Sequence, residues 1–228
     1  MPAKSNPKST PKSIKNWKVA PAAERIKKII PLLAQAHEPV CALYFRNAFE
    51  LLIATILSAQ CTDERVNQVT PVLFQRFPDA SSLASAAPEE VEEIVRPTGF
   101  FRQKTKSLLA VSQALTEKSH GEIPRDIDEL TRLPGVGRKT ANVVLGTAYG
   151  IPAIMVDTHV KRVAARLELT KQKDPDKIEQ DLIALVPAAE RTAFSHRMIW
   201  HGRKVCQARK PGCEACVLAP YCPSEGVA

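Results

Sequence analysis

Aromatic residues are scarce in this chain, at 5% of 228 residues. No apolar run approaches the roughly 20 residues that a membrane-spanning helix needs; the longest, Leu51 to Leu57, suits a core helix. The first residues lack the apolar region of a signal peptide. No internal repeat and no alternating strand pattern is found, so the expected fold class is all-α. Six cysteines without an export signal imply a reducing compartment, where thiols are not used for disulfides by default. Histidine metal sites are not expected. His159 has no second His or acid at ligand spacing, and His196 and His201, five apart, point to different helix faces.

Positive charge is what the chain has in excess. There are 32 Lys and Arg against 24 Asp and Glu, a formal charge of +8, and a pI near 9.3. A polyanionic partner follows, nucleic acid before a membrane surface. Met1 to Lys18 carries Lys4, Lys8, Lys12, Lys15 and Lys18, no acids, and interspersed Pro and Ser. That composition predicts a disordered basic arm, about residues 1–20.

The chain is organised around Leu133-Pro134-Gly135-Val136-Gly137-Arg138-Lys139-Thr140-Ala141, a glycine turn entering a helix. Gly135 and Gly137 permit positive φ and close backbone approach. A helix start opened by glycines offers unpaired N–H groups to an anion. Two nucleotide motifs fail here. The Walker pattern needs Gly directly before Lys-Ser/Thr, and Arg138 stands there. The dinucleotide fingerprint needs Gly or Ala at Thr140 and a preceding strand. A short helix, Ile127 to Leu133, precedes instead, so helix, turn, helix is the reading. Lys139 lies in the first helical turn beside Arg138, where the dipole and a second cation disfavour charge and favour a free amine. A plain phosphate-contacting lysine is the alternative.

Helical periodicity predicts helices over Ala22 to Ala36, Ala48 to Gln60, from a Thr62 cap through Phe77, Ser81 to Ala86, Pro88 to Val95, Gly99 to about Lys118, after His159, from an Asp174 cap to Leu185, and Ala188 to Gln207. Phe100 and Phe101 cannot both face inward at a helix start, which leaves one of them a candidate for exposure. Asp157 can cap the helix beginning near His159, or act beside Lys139 as general base or electrostatic stabiliser; the two roles are compatible.

Cys206, Cys213, Cys216 and Cys222 form the strongest chemical signal. Four soft sulfur ligands in one short loop suit zinc or an iron–sulfur cluster. Structural zinc usually takes two close pairs, and only Cys213 and Cys216 form one. The uneven spacing favours a cubane, with two disulfides as the remaining alternative. Arg203, Lys204, Arg209 and Lys210 around the cysteines can be presented to phosphates.

Leu133 to Leu145, then Val156-Asp157-Thr158-His159-Val160, then the four-cysteine loop, together resemble the endonuclease III family of DNA glycosylases with a helix-hairpin-helix. The resemblance runs over about Ala22 to Pro223. It implies two helical lobes: a six-helix barrel over 41–151 containing the hairpin, and a cluster domain made of 21–40 plus 152–228. It places Lys139 on the Schiff-base lysine, Asp157 on the catalytic aspartate and the four cysteines on the ligands of a 4Fe–4S cluster. Gln60 falls on the residue that fills the gap left by an extruded base, and Phe100 on the wedge in the opposite strand. The hairpin residues Leu133, Gly135, Val136, Gly137, Arg138 and Thr140, with the cluster-loop cations, fall on the DNA-binding surface.

Adenine-removing cousins carry an acid where Ala54 stands and lack a lysine at position 139. The resemblance therefore implies a bifunctional glycosylase/AP lyase acting, as a monomer, on double-stranded DNA with oxidised pyrimidines or abasic sites, in a bacterial cytoplasm at the nucleoid. The alternatives are a non-catalytic helix-hairpin-helix DNA-binding module, an adenine-type monofunctional glycosylase and, against the lack of a second cysteine set, a ferredoxin-like carrier.

Overall fold

The computed structural model describes residues 17–226; most of the expected basic arm, residues 1–16, lies outside them. Within the described residues the chain is entirely helical, without a strand. The helices are α1 (Ala22–Ala36), α2 (Ala48–Leu57), α3 (Asp63–Arg76), α4 (Ala80–Ala84), α5 (Pro88–Val95), α6 (Phe101–Ser119), α7 (Ile127–Thr131), α8 (Arg138–Val143), α9 (Thr158–Arg166), α10 (Pro175–Leu185) and α11 (Arg191–Lys204). Trp17–Val19 adds a 3-10 turn, and Lys18 pairs with Glu225 at the other end of the described chain. No helix among these residues is long and apolar enough to cross a membrane.

Side-chain caps set several helix starts. Asn47 accepts the Glu50 N–H, Thr62 the Arg65 N–H, and Asp174 those of Asp176 and Lys177 ahead of Pro175. Each satisfies a first-turn donor, at about 1 kcal/mol. Several ends differ from the periodicity reading. α2 stops at Leu57 because the chain turns left-handed at Gln60, φ 52°. The last helix begins only at Arg191, after a 3-10 turn over Ala188–Glu190, and ends at Lys204. After α8 the winding loosens into a π-helical turn, Val144–Ala148, where Gly146 lies so close to the Thr192 side chain that a Cβ would sit 2.8 Å from Oγ1.

Two hydrophobic cores give two helical lobes. The larger joins α2, α3, α5, α6 and the hairpin helices through Leu52, Ile53, Leu73, Leu108, Leu115, Leu130 and Val144. The smaller joins α1, α9, α10 and α11 through Ile29, Leu33, Val160, Ile178, Leu182, Phe194 and Met198. Leu51 of α2, Val143 of α8 and Met155 of the connector form a third, small cluster. α1 is held to the chain's far end by buried Arg25, whose guanidinium donates to the carbonyls of Ala20, Leu167, Glu168 and Tyr221. A charge can be buried this way because each of its three nitrogens finds a carbonyl acceptor.

Candidate active site

The hairpin turn combines a buried half with an open one. Leu133 and Val136 are 7% and 5% exposed and pack in the larger core. Their side chains are anchors, and only their backbone remains to meet DNA. Gly135 has φ 75° and faces Ser107, whose Cβ would lie 3.3 Å from an added Cβ. Gly137 does not have the positive φ allowed for it: it is extended at φ −85° as the N-cap of α8. An added Cβ there would meet nothing within 4 Å. Neither backbone geometry nor internal packing requires glycine at 137.

Arg138 is also engaged within the protein. Its guanidinium grips the buried Glu179 of α10 in a two-point pair, Nε to Oε2 at 2.9 Å and Nη2 to Oε1 at 2.8 Å. Asn142 adds a third donor to the same carboxylate, 2.9 Å away. Bidentate geometry of this kind fixes orientation as well as adding energy. The hairpin of one lobe is thereby fastened to α10 of the other. Glu179 was missed in the sequence. Its only signal there is an acid next to Ile178 on a helix whose apolar face is buried.

Lys139 is exposed, and Thr140 half-buried, in the first turn of α8. Among the described residues Lys139 makes no hydrogen bond or ion pair. Asp157 N-caps α9, its Oδ1 accepting the Val160 N–H at 2.8 Å, so the capping reading holds and the second oxygen is left out of the cap. Both side chains line one interlobe cavity of about 70 Å³ together with Cys41, Ser58, His196, Trp200 and Arg203. Both also line an adjoining open groove of about 550 Å³ that includes Gln60, Cys61, Thr140, His159 and Lys161. Four groups here were not singled out from sequence: Ser58, Asp63, Lys161 and Trp200. Trp200 is pinned by donating Nε1–H to the Val40 carbonyl at 2.9 Å, with Arg203 and Lys204 against its ring at 5.4 and 4.9 Å. Arg203 belongs to this cleft through a 2.6 Å ion pair with Asp63, which separates it from the cluster loop where it was expected to act.

Gln60 and Phe100 are both exposed, Phe100 at 67%, while Phe101 is half-buried against the larger core. The left-handed backbone of non-glycine residues occurs at four described positions, and these two are among them, at φ 52° and 47°. Such a conformation is uncommon for residues with a Cβ and collects at functional sites.

Burial lowers the His196 pKa from 6.5 to about 4, so the ring is neutral at physiological pH; its Nε2 lies 3.1 Å from Thr147 Oγ1. The unfolded chain takes up the proton first as pH falls. The contribution of this group is complete above pH 6.5 and is lost between 6.5 and 4, about 3 kcal/mol in all. Thermal melts across that window are expected to fall steeply, and less steeply in His196→Gln. Equal slopes would contradict the burial argument.

Cys206, Cys213, Cys216 and Cys222 are all free thiols, which removes the disulfide alternative. All four line a single apolar cavity with Val163, Leu167, Val205 and Leu218. Burial pushes the Cys216 and Cys222 thiols up, and each of them is also acted on by the neighbouring cysteines. Apolar burial of neutral thiols is unproductive unless a metal charge converts them to thiolates. Polar groups also lie against the sulfurs: Arg166 Nη1 donates to Cys206 Sγ at 3.3 Å, and His201 Nε2 lies 3.5 Å from Cys216 Sγ. Four soft sulfur donors lining one cavity suit a thiolate-held metal centre, zinc or an iron–sulfur cluster, so the residues present fit a four-cysteine group. Arg209 and Lys210 are exposed beside it.

Residues 53–188 match the family model described as the HhH-GPD superfamily base excision DNA repair protein. The chain is 51% identical to endonuclease III of Synechocystis sp., covering 91% of this chain and 95% of that protein. It is 44% identical to the Bacillus subtilis endonuclease III, over 80% and 84% of the two chains. Among solved structures, a trapped endonuclease III–DNA covalent intermediate superposes with a TM-score of 0.85 at 42% identity, over 90% of this chain and 97% of that one. With its hairpin, its interlobe lysine and aspartate and its four-cysteine loop, the chain belongs to the endonuclease III family of base-excision DNA repair enzymes, the bifunctional DNA glycosylase/AP lyases.

Proposed function

We propose that Lys139 is the Schiff-base nucleophile of this glycosylase/lyase and Asp157 its partner, acting as a monomer on duplex DNA that contains oxidised pyrimidines or abasic sites. The observation that carries the reading is an amine free of any carboxylate, facing the cleft that Asp157 also lines. A base inside a duplex is out of reach, so it must be extruded, at about a few kcal/mol that damage reduces. Gln60 and Phe100 take up the vacated stack. The hairpin amides of Gly135, Gly137 and Thr140, with Lys204, Arg209 and Lys210, hold the distorted phosphates. Lys161, in the groove wall, joins them.

The Lys139 lone pair then attacks C1′ of the deoxyribose, and the glycosidic bond breaks with its electrons leaving on the base. The nitrogen loses its protons, the sugar ring opens, and a Schiff base forms between Nζ and C1′. Loss of a C2′ proton expels the 3′ phosphate and cuts the strand. Asp157 stabilises positive charge on the sugar and takes protons, through the carboxylate oxygen that the α9 cap leaves over. Cys206, Cys213, Cys216 and Cys222 would hold the 4Fe–4S cluster generally found in this family. When bound it supplies covalent cross-links that fix the loop carrying Arg209 and Lys210. The two cores correspond, in this reading, to a barrel domain over 41–151 and a cluster domain of 21–40 plus 152 onward.

The lesion range is tested by borohydride trapping on duplexes carrying thymine glycol, an 8-oxoguanine pair or a bare abasic site. Adducts are expected with the first and third, and an adduct with 8-oxoguanine alone would overturn the substrate class. Asp157→Asn separates the two uses of that side chain. Asn caps helices as well as Asp, so melting should hardly move, whereas base release should slow by about 10²–10⁴-fold, the scale of a lost acid–base group. Unchanged single-turnover rates would remove Asp157 from the chemistry.

A further inference from the structure

Lys104 is a lysine inside the barrel lobe, 5% exposed, that the mechanism above leaves unused. Its Nζ donates to the Thr98 carbonyl at 2.7 Å, and its backbone N–H donates to the Phe100 carbonyl at 3.0 Å. Thr98 is itself buried at 2%. It stands just before Gly99, φ 71°, and Phe100, φ 47°. One buried cation therefore sits at the base of the left-handed turn that carries Phe100.

As a stability device this arrangement is poor. Burial draws the Lys104 pKa down, and among the described residues its amine has one hydrogen-bond acceptor for three donors. Replacing a weakly satisfied buried charge by an apolar side chain is often neutral or stabilising. A group retained at such a cost has to act elsewhere. The Thr98 carbonyl is the place: pulled toward α6, it fixes the entry into Gly99-Phe100 and so the direction in which Phe100 projects.

We infer that Lys104 is a positioning residue, a buried anchor that fixes the Thr98–Phe100 turn so that Phe100 enters the duplex in step with Gln60. The inference rests on the proposed role of Phe100. It does not involve the lysine of the cleft, and Lys104 touches neither substrate nor reacting atoms.

The test compares Lys104→Met, Lys104→Gln, Gln60→Ala and Phe100→Ala in the full-length holoenzyme. The probe is a duplex with 2-aminopurine opposite a tetrahydrofuran abasic analogue, whose fluorescence rises when the base is unstacked. Lyase rates are measured in parallel on duplex and on single-stranded abasic DNA, where no partner strand has to be displaced. Lys104→Met is expected to keep or raise the melting temperature and leave the single-strand rate at the parental value. It should lose the unstacking signal and lower duplex kcat/KM roughly tenfold or more, the scale of a lost hydrogen bond from a charged donor. Lys104→Gln, which retains an N–H for Thr98, should recover part of both.

Parent-like duplex behaviour in both Lys104 variants would overturn the inference, and so would an equal slowing on single and double strands. If Gln60→Ala and Phe100→Ala leave the signal untouched, the roles of those two residues fail instead. A Lys104→Met protein that does not fold would also count against it, since the anchor would then be structural.

Discussion

Lys139→Gln is expected to form no borohydride-trapped adduct with thymine-glycol duplex and to lose base release and strand cutting by about 10³-fold or more, the scale seen when a nucleophile is removed. The size follows from the position. Of the other basic groups lining the cavity, Arg203 is engaged with Asp63 and His196 is buried and neutral; Lys161 lines the adjoining groove but not the cavity that Lys139 shares with Asp157. The substitution should cost little stability. Lys139 is exposed in the first turn of α8, and surface changes of this kind usually stay within about 0.5 kcal/mol. Duplex binding should persist, since the hairpin amides and remaining cations are unchanged. A Lys139→Gln protein that trapped as well as the parent would require another nucleophile and would reduce the proposed site to a DNA clamp.

Cys213→Ala carries the second large effect, on structure rather than chemistry. Removing one of four ligands should release the iron and the visible absorption of the holoprotein together. The described chain beyond α11 is built from short 3-10 turns over Cys213–Ala215 and Ala219–Tyr221, with few buried apolar anchors apart from Leu218. Structural metal sites supply of order 10 kcal/mol of apparent folding energy, comparable to the whole margin of a domain. The C-terminal loop should therefore become protease-sensitive and the melt lose cooperativity, and duplex affinity should drop as Arg209 and Lys210 lose their placement. Full iron content in Cys213→Ala would remove that cysteine from the ligand set. A colourless parent with stoichiometric zinc, purified without oxygen, would reject the cluster itself.

Much of this was legible residue by residue. The caps at Thr62, Asp157 and Asp174 were visible because a short polar side chain directly before an apolar helical period has little else to do. The exposure of one phenylalanine from the 100–101 pair followed from the geometry of a helix start. Side-chain direction and long-range pairing were not legible. Leu133 and Val136 read as turn residues and prove to be core anchors. The pairing of Arg138 with Glu179, 41 residues away, leaves no trace in the sequence. Gly137 reads as a conformational glycine and has an ordinary φ.

The sequence alone determined the helical class, the hairpin, the cysteine set and the candidate pair Lys139 and Asp157, because periodicity, glycine placement and ligand chemistry act locally along a chain. Only the tertiary structure decided that Lys139 and Asp157 line one cleft, that Gln60 and Phe100 stand on left-handed turns, that the Phe100 turn rests on a buried lysine, and which cations are already engaged. Those outcomes depend on how two lobes pack and on which acid meets which base across them, and nothing within a few residues of any of these positions encodes it.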